Sequence, residues 1–166
     1  MNEPEIITIA AKNFTGICMR MSFSNHRPFE VWSRFMPRRK EIGGVKDGRL
    51  YSIEVFPKGF FENYSADAEF EKWAASEVQE AGNPPAGMQE LHCPEGLYAV
   101  FVHKGPDSRA AETYNYIFSE WLPASGYEAD YRPHFAVMGE KYKRGAEDSE
   151  EDICIPVKKK SANTKS

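Results

Sequence analysis

The chain has no surplus of basic charge. Lys and Arg total 21 against 25 for Asp and Glu, a formal net charge of -4. That excludes a positive field over the whole surface of the kind that holds nucleic acid, and leaves only room for a local basic patch. Cysteine is scarce: Cys18, Cys93 and Cys154 are odd in number and far apart. Neither a disulfide framework nor a zinc-ligand spacing follows from them, and a reduced cytoplasmic compartment is the expectation. No apolar run is long enough to cross a bilayer, so no membrane partner is expected. The start, Met1-Asn2-Glu3-Pro4-Glu5, is acidic and lacks the basic and then apolar pattern of a secretory signal. His26, His92, His103 and His134 show no ligand spacing, and none is singled out as a haem ligand. No phosphate-cradling glycine loop, Ser-His-Asp order or paired-carboxylate motif stands out. The expectation is therefore no metal, no cofactor and no assignable catalytic residue.

What the chain does have is aromatic. Phe 11, Tyr 8 and Trp 3 make up 13% of its 166 residues, enough to serve either a large core or a flat-ligand pocket. Placement has to decide between them. Residues 5–10 and 15–23 read as strands. Pro28 suits the first turn of a helix that carries Phe29, Val31, Trp32, Phe35 and Met36, and Pro37 ends or bends it. The cluster Arg38-Arg39-Lys40 reads first as a solvated helix end and only second as a contact site. Gly43-Gly44 and Asp47-Gly48 mark a loop and a turn, and residues 50–56 form a strand. Residues 68–78 fit a helix or a strand by periodicity alone. The stretch 82–87, Gly-Asn-Pro-Pro-Ala-Gly, is the strongest linker signal.

Beyond the linker, residues 96–103 form a strand, and 104–108 make a turn and helix cap. An amphipathic helix then carries Ala110, Tyr114, Ile117, Phe118, Trp121 and Leu122 as far as Pro123. Residues 134–142 read as a strand, the acidic run 147–152 as a solvated loop, and 153–157 as a last strand. There Pro156 suggests an edge. Residues 159–166 read as a disordered tail.

The chain repeats itself. Val31-Trp32-Ser33-Arg34-Phe35-Met36-Pro37 matches Ile117-Phe118-Ser119-Glu120-Trp121-Leu122-Pro123 at an offset of 86. The same offset sets Glu54 against Glu140 and Phe56 against Tyr142. Element order agrees on both sides of the helices, with 73–78 corresponding to 153–157, so the ambiguous segment is assigned as a strand. The expected fold is α+β. Duplicated βαββ modules, about 5–81 and 88–158 within a single domain 1–158, join into one antiparallel sheet. Two helices lie on one face, with a ligand cleft on the pseudo-twofold axis.

Residues 96–106, 113–128, 132–142 and 150–158 closely resemble the GyrI-like small-molecule-binding domain, the effector-binding module of AraC-type and multidrug-responsive regulators. FMPRRKEI, LYSIEVFP and WAASEV carry the likeness into the first half. The resemblance implies a central cleft that takes flat, lipophilic, often cationic compounds between aromatic walls and a buried carboxylate. It also implies that some relatives hydrolyse cyclopropane-bearing genotoxins, and that the family's name comes from inhibition of DNA gyrase. Many members carry an acid directly after the aromatic of the HFAVMGE strand, where this chain has Ala136. Glu140, four residues beyond it, shares its side-chain parity. No helix-turn-helix pattern lies before residue 5 or after residue 158, so the expectation is a sensor or sequestering module in stand-alone form, with a small-molecule partner.

Glu54 sits between Ile53 and Val55 in an apolar strand. Burying its carboxylate is costly without a partner. A bound cation would supply one, with cation–π attraction of about 0.5–2 kcal/mol per stacked ring. Alternation that simply points Glu54 at water explains the sequence equally well. The candidate ligand-binding set is Glu54, Glu140, Trp32, Phe35, Phe56, Tyr98, Tyr114, Phe118 and Trp121, and some of these aromatics must belong to the core. Cys18 and Cys154 read as buried and inert, and Cys93 as part of an exposed loop.

Overall fold

The computed structural model describes residues 3–106, 109–143 and 145–160. Of the tail expected to be disordered over 159–166, Lys159 ends the last strand and Lys160 N donates to the Gly126 carbonyl at 2.9 Å, while 161–166, like the helix cap expected at 107–108, lie outside the described residues. Among the described residues nine strands form in chain order: β1 (Glu5–Ile9), β2 (Lys12–Met21), β3 (Val45–Val55), β4 (Phe70–Val78), β5 (Gln89–Cys93), β6 (Gly96–Lys104), β7 (Tyr127–Ala129), β8 (His134–Met138) and β9 (Glu150–Lys159). Helix α1 (Pro28–Phe35) begins on its proline and passes into a 3-10 turn at Met36–Glu41. Helix α2 (Ala110–Tyr116) continues through a π-helical segment, Ile117–Trp121, and closes with Leu122–Ala124. Among the described residues no helix is long and apolar enough to cross a membrane.

The sheet order is β1-β6-β9-β8-β3-β4-β2-β5, with β7 paired to β9 off this path and every pairing antiparallel. The order reads as two copies of one pattern related about the central β3–β8 pair, so the duplication is present as expected. Strand β1 forms where it was expected, β5 was not announced by the apolar pattern, and the two are exchanged between the copies: β1 pairs β6 and β5 pairs β2. Segment 70–78 is the strand that the repeat demanded.

Several boundaries differ from expectation. The Asp47-Gly48 turn signal falls inside β3, at a register irregularity between Val45 and Leu50. β8 stops at Met138, and β9 begins at Glu150 inside the acidic run. β9 also lies within the sheet, not at its edge. Pro156 is tolerated there because its missing N–H points to the side where β8 has ended. On that same side its carbonyl accepts from Asp130 N at 2.8 Å. Cys93 is 1% exposed, packed in the core where a loop position was expected. Arg38 is held by Glu41 at 2.8 and 2.9 Å and donates to the Ala86 carbonyl at 2.7 Å, so it ties the helix end to the inter-repeat linker.

Both faces of the sheet are covered. On one face α1 packs Val31 and Phe35 against Ile17, Ala74 and Val78, and the second helix packs Ile117 against Ala99, Ala136 and Ile153. The other face encloses Phe14, Tyr51, Ile53, Trp73, Tyr98, Phe135 and Cys154. On a flat sheet β2 and β8, three strand steps apart, would stand about 14 Å from one another. The Phe14 and Phe135 rings are 6.0 Å apart, so the sheet rolls around this core.

That roll brings backbones together at Gly16, which pairs with both Ala75 and Gln89. A Cβ there would lie 2.1 Å from the Ala74 carbonyl oxygen. Gly16→Ala is therefore expected to cost about 2–3 kcal/mol as a backbone overpacking. The melting temperature should fall by about 8 °C, read by circular dichroism. An unchanged melting temperature would show that the strands are not so tightly apposed.

The core also measures the repeat. The Phe14–Tyr51 rings, 4.9 Å apart, are matched by Tyr98–Phe135 at 5.3 Å. Phe14 and Tyr98 are 84 residues apart, as are Tyr51 and Phe135, while the buried Val31 and Ile117 keep the helical offset of 86. The loops around the helices therefore differ by two residues between the copies. In the strands Glu54 corresponds to Met138, and the helical offset that set it against Glu140 does not carry across.

Candidate functional site

Alternation along β3 sends Tyr51 and Ile53 into the rolled core, and Leu50, Ser52 and Glu54 to the helical face. Across the central pair Ser52 lies opposite Ala136, and Glu54 opposite His134. Two small side chains thus meet between the helices, Ala136 buried against Ile117 and Ser52 half-buried, and polar groups stand at one end of the pair.

The polar end is an ion pair internal to the protein. Lys72 lies opposite Glu54 on β4 and binds its carboxylate. The same ammonium donates to Ser52 Oγ at 2.7 Å. The side chains of Lys72 and Glu54 are only 8% and 14% exposed. His26, in the loop before α1, has its pKa held below the ordinary 6.5 by partial burial and by Lys72, with Glu54 opposing. Tyr114 on α2 has its phenol pushed well up, first by burial and then by Glu54.

Beside the ion pair stands a wall of rings. Phe61 stacks on Phe118 at 5.7 Å, and Phe118 stacks on His134 at 6.3 Å. Phe56 meets His134 edge-on at 4.9 Å. His134 is buried, and its Nε2 donates to the Asp130 carbonyl at 3.1 Å. Burial pushes its pKa down to about 4, so it is a neutral ring at pH 7. The Phe60–Tyr64 region is anchored from the second half, because Phe61 N donates to Tyr131 Oη at 3.2 Å and Tyr131 in turn donates to Glu62.

The structure brings together Glu54, Phe56, Tyr114 and Phe118 from the candidate set and sends the others elsewhere. Phe35 is fully buried under α1, and Trp32 packs edge-on against it at 5.8 Å. Trp121 meets Phe101 at 5.2 Å and stacks on Tyr127 at 6.3 Å. Tyr98 is on the opposite face, fully buried, donating to the Pro133 carbonyl at 2.9 Å. Glu140 is exposed in the turn after β8. There it lines a shallow depression of about 640 Å³ with Asp47, Gly48, Arg49, Gly139 and Lys141. That depression is at the Arg49 end of β3, about 16 Å along the strand from Glu54. Lys72, Ser52, Phe61 and His134 were not picked out from the sequence. The one signal for Lys72 was a charged residue in strand 70–78 that shares parity with Ala74 and Val78.

The sequence matches the GyrI-like small molecule binding domain over residues 2–158. It is 34% identical over 131 residues to the transcriptional regulator BrlR of Pseudomonas aeruginosa, which is 77% of this chain and 45% of that protein. The chain therefore spans less than half the length of that regulator. Among solved structures, SAV2435 bound to tetraphenylphosphonium superposes with a TM-score of 0.69 at 15% identity, over 95% of this chain and 94% of that one. EcmrR in its complex with DNA superposes with a TM-score of 0.68 at 15% identity, over 95% of this chain and 58% of that one. These two likenesses concern the fold. The duplicated architecture and the match along nearly the whole sequence lead to one assignment: the chain belongs to the GyrI-like small molecule binding domain family.

Proposed function

We propose that the groove over Ser52 and Ala136 holds a flat, lipophilic aromatic compound, and that the chain works as a sensor or sequestering module for it. The observation that carries this reading is the ring wall of Phe61, Phe118 and neutral His134 beside these two small side chains. Such a wall offers π-faces to a planar ligand while the Glu54–Lys72 pair gives polar contact at one end. Tetraphenylphosphonium on SAV2435 is an aromatic, lipophilic cation held by a protein with this fold, which agrees with the aromatic and lipophilic part of this reading and not with a preference for uncharged ligands.

Acridine, flat and fluorescent, is a suitable probe. Phe118→Ala should weaken its binding about tenfold, or about 1.4 kcal/mol. Trp121→Phe, at a ring packed away from the groove, should leave it unchanged. Fluorescence titration reads both. Equal affinities in wild type and Phe118→Ala would place the ligand elsewhere. In the same samples a binding module returns a cyclopropane-bearing alkylator intact after long incubation. A ring-opened product by mass spectrometry would move the reading to a hydrolase.

A further inference from the structure

The charge arrangement in the groove argues against a cationic guest. Glu54 is the carboxylate that a cation would seek, and it is already bound by Lys72. The ammonium comes from the adjacent strand, is nearly buried, and is oriented by a second hydrogen bond to Ser52 Oγ. A permanent cation entering there would meet a neutralised carboxylate and a like charge beside it, with little water to screen them. Of the other groups around the pair, His134 and His26 are not carboxylates, and Glu151 acts on Tyr114 less than Glu54 does.

An uncharged ligand meets something different. Lys72 has three N–H donors, of which Ser52 and Glu54 take two, which leaves one for an acceptor on a ligand. An aromatic heterocycle with a ring nitrogen or carbonyl at its edge satisfies that donor while its faces stack on Phe118 and Phe61.

Resting on the reading of the groove as the ligand site, we infer that Lys72 is its built-in counter-ion and a specificity-determining residue, selecting uncharged aromatic heterocycles with an acceptor edge and rejecting permanent cations. This departs from the expectation of a cation held by Glu54 alone.

The test compares acridine at pH 8, where it is uncharged, with 10-methylacridinium, which has the same rings, a permanent charge and no ring acceptor. Wild type should bind acridine at least about tenfold tighter. Lys72→Met exposes the Glu54 carboxylate to the ligand and should reverse the order, with 10-methylacridinium gaining at least about tenfold. Adding Glu54→Gln to that variant should remove the gain. Lys72→Gln carries the same expectation should the methionine variant fail to fold, and the wild-type ratio stands as a test by itself. Equal binding of the two probes by wild type, or a ratio unchanged on removing Lys72, overturns the inference and leaves the groove reading intact. Failure of both probes to bind wild type overturns the groove reading and the inference together.

Discussion

Replacing Lys12 and Lys46 together by methionine is expected to cost about 3–5 kcal/mol of stability, because it strands a carboxylate in the core. Glu77 is 2% exposed, on the face of β4 that turns toward the rolled core. Lys12 Nζ approaches it at 3.3 Å and Lys46 Nζ at 3.5 Å. The Tyr51 hydroxyl donates to the same carboxylate at 3.0 Å. Tyr51 is fully buried between Phe14 and Phe135, so the phenol cannot turn to water. With both ammonium groups gone, the Tyr51 phenol and the more distant Arg49 guanidinium, over the Tyr51 ring at 5.8 Å, are left to hold a desolvated charge. Lys46 is 57% exposed on its side chain, so its loss alone should cost under about 1 kcal/mol. The double change should lower the melting temperature by about 10 °C. Glu77→Gln added to it should recover most of the loss, because the amide carries no charge and still accepts from Tyr51. A double variant within about 1 kcal/mol of wild type in chemical denaturation would show that water reaches Glu77.

Acid should weaken the fold through His134. Its pKa is pushed down to about 4 from the ordinary 6.5 by burial among Phe56, Phe61 and Phe118. On lowering the pH the unfolded chain binds the proton first. Stability is therefore full above pH 6.5 and is lost as the pH falls toward 4, by about 3 kcal/mol for a shift of this size. Asp47 and Asp130, both held below their ordinary 3.8, act in the same direction but at lower pH. His26 acts within the same window with a smaller effect, since it is exposed. His134→Phe fits a site already lined by phenylalanine and should flatten the profile between pH 6.5 and 4, although it loses the bond to Asp130. Denaturation midpoints measured across that range check this. A wild-type slope equal to that of His134→Phe would contradict a buried neutral imidazole.

These two effects arise from register, which also marks the limit of what the sequence discloses. Duplication, the sheet-plus-helices class and the strand at 70–78 are legible because the helical segments repeat and the flanking elements keep their order. The exchange of β1 and β5 between the copies is not, since apolar alternation says which residues are buried and nothing about which strand lies alongside. Only the links hint at it: Ala10-Ala11 and Pro94-Glu95 lack the turn chemistry of a two-residue hairpin.

Glu54 was visible as a carboxylate in an apolar strand. Lys72, 18 residues away, becomes its partner only through the β3–β4 register. Glu140 fell out of the site because loops of unequal length separate helix from strand in the two copies. Tyr98 and Phe35 were aromatic at the right places in the sequence and serve cores, since a large ring beside the axis is as useful for packing as for a ligand.

The structure of the acridine complex tests the central claim most directly. The account predicts the tricycle stacked along Phe118 and Phe61 above Ser52 and Ala136, with its ring nitrogen accepting from Lys72. Acridine seated instead in the depression beside Arg49 and Glu140, or a groove closed by the protein's own side chains, would contradict it.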